Sequence, residues 1–484
     1  MEKFLSNDVL LLKKNIEKNV IIGINVLFNT IILVIAFYIA DNSFQKWVFP
    51  FALLSLIQLI LNIGTIKKFE GKMFSLTILF LIFSFITHLG MVIIFGFKVD
   101  IDLPWNPLST ITTNMFKEAS FFALCSHVFL TYGMLIILAK RKKYTSTVLD
   151  DNNFENTTSV LHLTKSIGLI LFSIGLVPML YIDSSKAILY INGNYLDTFQ
   201  IGVPSVVYLI AGFSDIGIMM LLIGNKNNKQ KVFIVLIFAT IYKGILMFTG
   251  GRGEPILFLL TLYFIYFNFI RVNKMKVHQV ILNGCLIYIV GYVLTFISQI
   301  RMMSINNMDT FIELAKKSFI DFSPFAVIAE FGSTIITLGI AIDFFSSNQD
   351  YQYGINYVFA LLNAFPNIGG VLDFTTLKTI YVYNFPGNIR TFLGGSYLGE
   401  VYYSFGYVGA VFVTFIGMAI GYISVKIEEL YERQQLIRLS IVLILFPNIL
   451  WWTRAYFVDM VREFTWISAF IIILTIVLKR KNRR

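Results

Sequence analysis

Apolar runs of about twenty residues, set apart by short polar breaks, recur along this chain and constrain its fold more than any other feature. As a helix, about 20 apolar residues cross the hydrocarbon core of a bilayer. Runs of that kind lie at about 19–40, 47–66, 73–97, 117–139, 164–183, 201–223, 232–249, 254–270, 279–298, 401–425, 438–453 and 464–478. Backbone N–H and C=O groups at membrane depth must be satisfied inside the protein, which here means helices. Charged residues make up only 14% of the 484, against roughly 25% in soluble domains, and no polar stretch is long enough to build a separate soluble core. The expected fold is an all-α polytopic membrane protein of about 12 transmembrane helices. The opening MEKFLSNDVLLLKKNIEK is too polar for a signal peptide and no small-residue cleavage site follows, so the first run is read as an uncleaved span.

Lys and Arg are unevenly shared between the breaks. The alternate segments 1–18, 67–72, 140–163, 224–231, 271–278, 426–438 and 479–484 hold 25 of the chain's 39. Lys165 and Lys243 lie inside spans, leaving 12 for the opposite face. The excess of positive residues on cytoplasmic loops places both termini in the cytoplasm.

Three regions follow. Residues 1–298 form a nine-helix transmembrane region, 299–400 a large external loop, and 401–484 a three-helix region with a basic cytoplasmic end. Within the loop, FIELAKKSFIDF (311–322) has helical spacing, and the stretches 325–345 and 353–372 are half apolar. They are expected as interfacial helices over a cavity, with irregular backbone covered by protein. Two extra crossings or re-entrant segments would raise the number of spans to 14 without changing parity. No pair of matching broken helices marks an alternating-access repeat.

Five arginines stand on the external face, against the orientation rule: Arg252, Arg301, Arg390, Arg454 and Arg462. Guanidinium groups at one interface suit bidentate capture of phosphate or carboxylate. Interfacial arginine also reaches lipid phosphates without serving a reaction, and an exposed Arg–Glu pair is worth about 0–1 kcal/mol. Arg252 sits in TGGRGEPILFLL, a tip whose glycines permit close backbone approach and whose Pro255 suits a first helical turn. Acids share the face: Glu254, Glu330, Glu400, Asp459 and Glu463. An unpaired carboxylate in the apolar setting of Glu330 is expensive, so Glu330 is either an arginine partner or a general base. A Glu at the position of Glu400 is also explained by the helix macrodipole. Tyr397, Tyr402 and Tyr403, near Gly394 and Gly395, suit either a sugar-binding surface or an interfacial aromatic belt. None of the four histidines falls in the large loop, Cys125 and Cys285 lie in apolar segments, and no metal-ligand spacing is present. No metal or other cofactor is expected, and no nucleic acid partner.

The layout of spans, the late external loop, the GRGE hairpin, the EFG segment and GGSYLGEVYYSFGYVGAVFVTFIG together resemble the Wzy-type O-antigen and capsular polysaccharide polymerases. The resemblance implies a membrane glycosyltransferase of GT-C-like architecture in the bacterial inner or plasma membrane. Its implied substrates, donor and acceptor alike, are oligosaccharide repeat units on undecaprenyl pyrophosphate, with membrane lipid and a chain-length regulator as further partners. It carries Arg252 over to pyrophosphate binding and Glu330 and Glu400 to site carboxylates; Arg301, Arg390, Arg454 and Arg462 join the pyrophosphate set on the charge argument. An O-antigen ligase usually relies on a histidine in the large external loop, which residues 299–400 lack. A lipid-linked oligosaccharide flippase and a non-catalytic assembly partner are the competing classes.

Overall fold

The computed structural model describes residues 2–101, 106–141, 152–192, 198, 201–249, 251–271, 291–293, 295–297, 312–313, 316, 323–348, 351–365, 370, 372–387 and 393–481. Among them all regular structure is helical. The helices are α1 (Glu2–Ala40), α2 (Phe44–Glu70), α3 (Leu76–Gly96), α4 (Thr113–Lys140), α5 (Asn152–Asn192), α6 (Ser205–Gly224), α7 (Lys229–Met247) and α8 (Gly253–Ile265), the last extended by a π-helical turn, Tyr266–Ile270. There follow α9 (Pro324–Gly332), α10 (Ile335–Asn348), α11 (Ile355–Leu362), α12 (Asp373–Thr379), α13 (Tyr397–Phe405), α14 (Gly409–Glu432), α15 (Leu436–Leu443), α16 (Leu445–Trp452) and α17 (Phe457–Lys481).

Eleven helical segments among the described residues are long and apolar enough to cross a membrane. Ten coincide with runs predicted from sequence. The run at 438–453 forms the shorter α15–α16 rod, Leu436–Trp452, and the one at 279–298 lies almost wholly outside the described residues. Side-chain oxygens open several helices: Ser75, Thr112 and Asn228 accept from the backbone N–H groups of Ile78, Met115 and Lys231.

Glycine sets the closest helix pairs. A Cβ at Gly133 of α4 would collide with the Thr414 carbonyl, and one at Gly417 of α14 with the Leu130 carbonyl. Helices at membrane depth gain by such close backbone approach, because lipid already solvates their apolar side chains. Gly175 and Gly217 do the same for α5 and α6.

The basic segments gather at one end. Lys18 donates to the Ala139 carbonyl at 2.6 Å. Lys72 and Arg141 both pair with Glu428, at 2.6 and 2.5 Å. Lys226 donates to Gln434 at 2.5 Å, and the Tyr431 hydroxyl to the Phe269 carbonyl at 2.5 Å. Lys18 of α1 and the ends of α2, α4, α6, α8 and α14 thus lie where the charge distribution predicts a common side.

The opposite end departs from the expected plan. Residues 325–345 do not lie flat over the bundle. In α9, Ile328 packs on Gly90 and Gly332 on Met91, about two turns below the end of α3, while Gly339 of α10 sits against Ile111 and Met115 where α4 begins. The pair therefore packs into the bundle against α3 and the start of α4, and Phe325–Asn348 is the remaining one of the eleven segments long and apolar enough to cross a membrane.

Residues 401–425 were expected as one span; the chain there forms two opposed helices. Tyr397 and Ser396 sit deep, bonded to Ser84 and His88 of α3. Farther on, the ring of Tyr402 meets Phe122, and Tyr407 donates to Glu118 near the start of α4 at 2.9 Å. So α13 runs from the middle of the bundle toward the start of α4, and the chain reverses at Gly406. Its φ of +60° favours glycine, and a Cβ would also press on the Tyr351 ring. Then α14 descends the whole length of α4.

Candidate active site

Three segments converge in the half opposite the basic end: the α7–α8 tip, the α16–α17 tip, and residues 393–396, which enter α13. Arg252 caps α8, is buried, and donates through Nη2 to Glu330 of α9. The next residue of α9, Phe331, lies under the Arg454 guanidinium, whose Cζ is 5.6 Å from the ring centroid. Two of the five predicted arginines thus flank one acid-bearing turn. Packing explains the glycines around them. A Cβ at Gly253 would run into the Trp451 ring, and one at Gly395 would come within 2.5 Å of the Ala455 backbone.

Glu400 occupies a different cradle. It is 1% exposed. The Trp452 indole Nε1 donates to it at 2.6 Å, and the Phe457 amide at 3.0 and 3.2 Å to its two oxygens. Phe457 opens α17, so the carboxylate faces the positive end of a helix other than its own. Its own helix is capped by Ser396, which accepts from the Gly399 amide at 3.2 Å. Beside it, outside the spanning helices, burial first and then the neighbouring Tyr456 and Glu400 hold the Tyr381 phenol well above its usual range. Tyr381 remains a neutral donor, its hydroxyl directed to the Ser396 carbonyl at 3.5 Å.

The three tyrosines proposed as sugar contacts are enclosed by protein. Tyr397, Tyr402 and Tyr403 are 0–1% exposed. Tyr397 shares a hydrogen bond with Ser84 at 2.7 Å, Tyr402 with Ser346 at 2.5 Å, and Tyr403 accepts from the Asn384 amide at 3.4 Å. Their faces meet other rings, Phe80, Phe122 and Phe345 among them. Arg462, on α17, donates through Nε to the Asn363 carbonyl at 3.1 Å. Arg301 and Arg390 lie outside the described residues.

Two groups of residues escaped the sequence reading. His88 and His127 join a buried chain: Ser84 bonds His127 Nε2 at 2.7 Å, and Ser396 bonds His88 Nε2 at 2.8 Å. The chain ties the segment before Glu400 to α3 and α4. The only signal in sequence was a histidine at membrane depth, where a polar side chain requires a partner. The second group surrounds Lys243, whose Nζ pairs with Asp215 at 2.8 Å, while Tyr242 donates to Asp183 at 2.6 Å. Lys243, Asp215 and Asp183 line a cavity of about 500 Å³ between α5–α8 and the α16–α17 pair, which also includes Glu254, Trp451 and Arg462.

Paired guanidinium groups bind and stabilise an anion with more than one oxygen, and buried carboxylates can position or accept a proton. Fold and site together define a polytopic helical membrane protein with charged chain reversals folded into its interior. The chain matches the family model O-antigen polysaccharide polymerase Wzy over residues 21–482, nearly its whole length, and belongs to that family. No curated protein and no solved structure matches it.

Proposed function

We propose that this polymerase joins oligosaccharide repeat units carried on undecaprenyl pyrophosphate, by glycosyl transfer at the outer face of the bacterial inner or plasma membrane. Both termini then lie in the cytoplasm, at the end where the basic segments gather. The observation that carries this reading is the pairing of buried Arg252 with Glu330, beside Arg454 on Phe331.

In the reaction, a hydroxyl of the acceptor attacks the anomeric carbon of the donor sugar. The bond from that carbon to the pyrophosphate oxygen breaks, and the hydroxyl proton passes to a carboxylate. Negative charge develops on the leaving pyrophosphate, and guanidinium groups held in place beforehand lower the barrier most there. Arg252 and Arg454 take that role. Glu330 holds the Arg252 fork in position and is the nearest acid to the leaving group. Glu400, already bonded to three N–H contacts, fixes the α16–α17 tip that carries Arg454. The buried tyrosines support the same turn from behind and leave sugar contact to other residues.

The test is Arg252→Ala in the producing cell. Single repeat units on lipid at the outer leaflet, with long chains gone, are the expected outcome. Accumulation in the cytoplasmic leaflet would instead assign the protein to transport.

A further inference from the structure

The cavity around Lys243 sets charged groups among apolar ones, Met179, Leu257 and Phe258 among them. Five carboxylates, on Asp183, Asp215, Glu254, Asp459 and Glu463, face three cations, on Lys186, Lys243 and Arg462. The excess of acid in this lining repels a phosphate. Several of its groups are already committed. Lys243 pairs with Asp215 and lies 4.8 Å from the centroid of the Phe258 ring. Asp459 accepts from the Tyr456 amide at 3.2 Å, and Arg462 from its Nε serves the Asn363 carbonyl. Glu463 is hydrogen-bonded by Asn448, whose amide also donates to the Ile444 carbonyl at 3.0 Å; the further lone pairs of Glu463, and Glu254, face the cavity with the Trp451 ring on the wall.

Carboxylates and an amide around an indole make up the chemistry that holds a hydroxyl-rich, uncharged ring: oxygens take the hydroxyl protons, and the ring face covers the apolar C–H side. A volume of about 500 Å³ is within the roughly 300–1,000 Å³ of ligand pockets, and has room for a few pyranose rings. Position agrees. Glu254 is two residues from Arg252, and Trp451 precedes the Trp452 that holds Glu400.

We propose that this cavity, lined by Glu254, Asn448, Trp451 and Glu463, binds the uncharged sugar residues of a lipid-linked repeat unit while the arginine pair holds its pyrophosphate. The proposal rests on the polymerase reading and adds a division of labour to it: a cationic site for the carrier and an anionic one for the glycan. A sugar bearing its own carboxylate is excluded from this cavity.

The probe is the phosphate-free oligosaccharide released by mild acid from lipid-linked repeat units of the producing strain. It is titrated into the purified full-length protein by calorimetry. Wild type is expected to bind it, with little response to added salt, because the ligand is uncharged. Glu463→Gln and Asn448→Ala should each weaken binding about tenfold, the loss of one good hydrogen bond, with unchanged melting temperature as the control for folding. Trp451→Phe, which keeps a ring, should weaken it less. No binding, binding abolished by salt, or full affinity in both variants would overturn the proposal. A parallel assay of chain growth from intact lipid-linked units separates the two readings. Growth by wild type alongside unaltered glycan binding in the variants removes the cavity assignment alone; absence of growth removes the polymerase reading itself.

Discussion

Glu400 and Trp452 stand 52 residues apart in the chain and meet at 2.6 Å, with the indole N–H donating to the carboxylate. The contact joins the re-entrant α13 to the tip that carries Arg454. Removing the donor by Trp452→Phe leaves a buried acceptor short of a partner, which costs about 1–3 kcal/mol. Unfolding of the purified protein in detergent measures this, and polymer length should fall with it. Glu400→Gln should do more harm to polymerisation than Trp452→Phe, since an amide NH₂ set against the Phe457 N–H cannot accept from it.

Arg252→Lys keeps a positive charge beside Glu330 but loses the planar fork that holds two anion oxygens at once. Chain growth is expected to fall at least about tenfold, a barrier increase of about 1.4 kcal/mol. A lysine variant with wild-type growth would mean that charge alone suffices there.

Gly133→Val and Gly417→Val each drive a side chain into the facing backbone carbonyl. Overpacking of a well-filled interface costs about 1–3 kcal/mol, so both should lower the melting temperature and the yield of folded protein. Neither residue is near Arg252, and whatever protein survives should retain its activity.

Sidedness is testable by labelling. In a background lacking Cys125 and Cys285, Tyr353→Cys should react with a membrane-impermeant thiol reagent on intact cells, since that position is 79% exposed and follows α10. Lys68→Cys, at the end where the basic segments gather, should react only after permeabilisation. The reverse pattern would invert the topology.

Much of the bundle was legible because an apolar run of twenty residues needs no partner to declare itself. Legibility stopped where a residue's meaning lies in distant contacts. Lys243 read as a stray charge inside a span; its counterion, Asp215, is 28 residues away on another helix. Glu400 read as a site carboxylate or as a helix-dipole residue of its own helix, while the N–H groups it meets belong to α16 and α17. Residues 401–425 read as one apolar span, and the positive φ at Gly406 divides it. The tyrosines of that stretch read as a sugar-binding surface or an aromatic belt because sequence spacing does not report which ring faces are already covered. Arg252 and Glu330 were both singled out, one for opposing the charge rule and one for its burial cost, though nothing in sequence paired them.

The central claim is that this protein itself makes the glycosidic bond. Purified protein, reconstituted in vesicles with repeat units on undecaprenyl pyrophosphate and resolved on a glycan gel, tests it most directly. A ladder of lengthening chains, with undecaprenyl pyrophosphate released in step and lost in Arg252→Ala, is the expected result. Repeat units that cross the vesicle membrane yet stay single would contradict it.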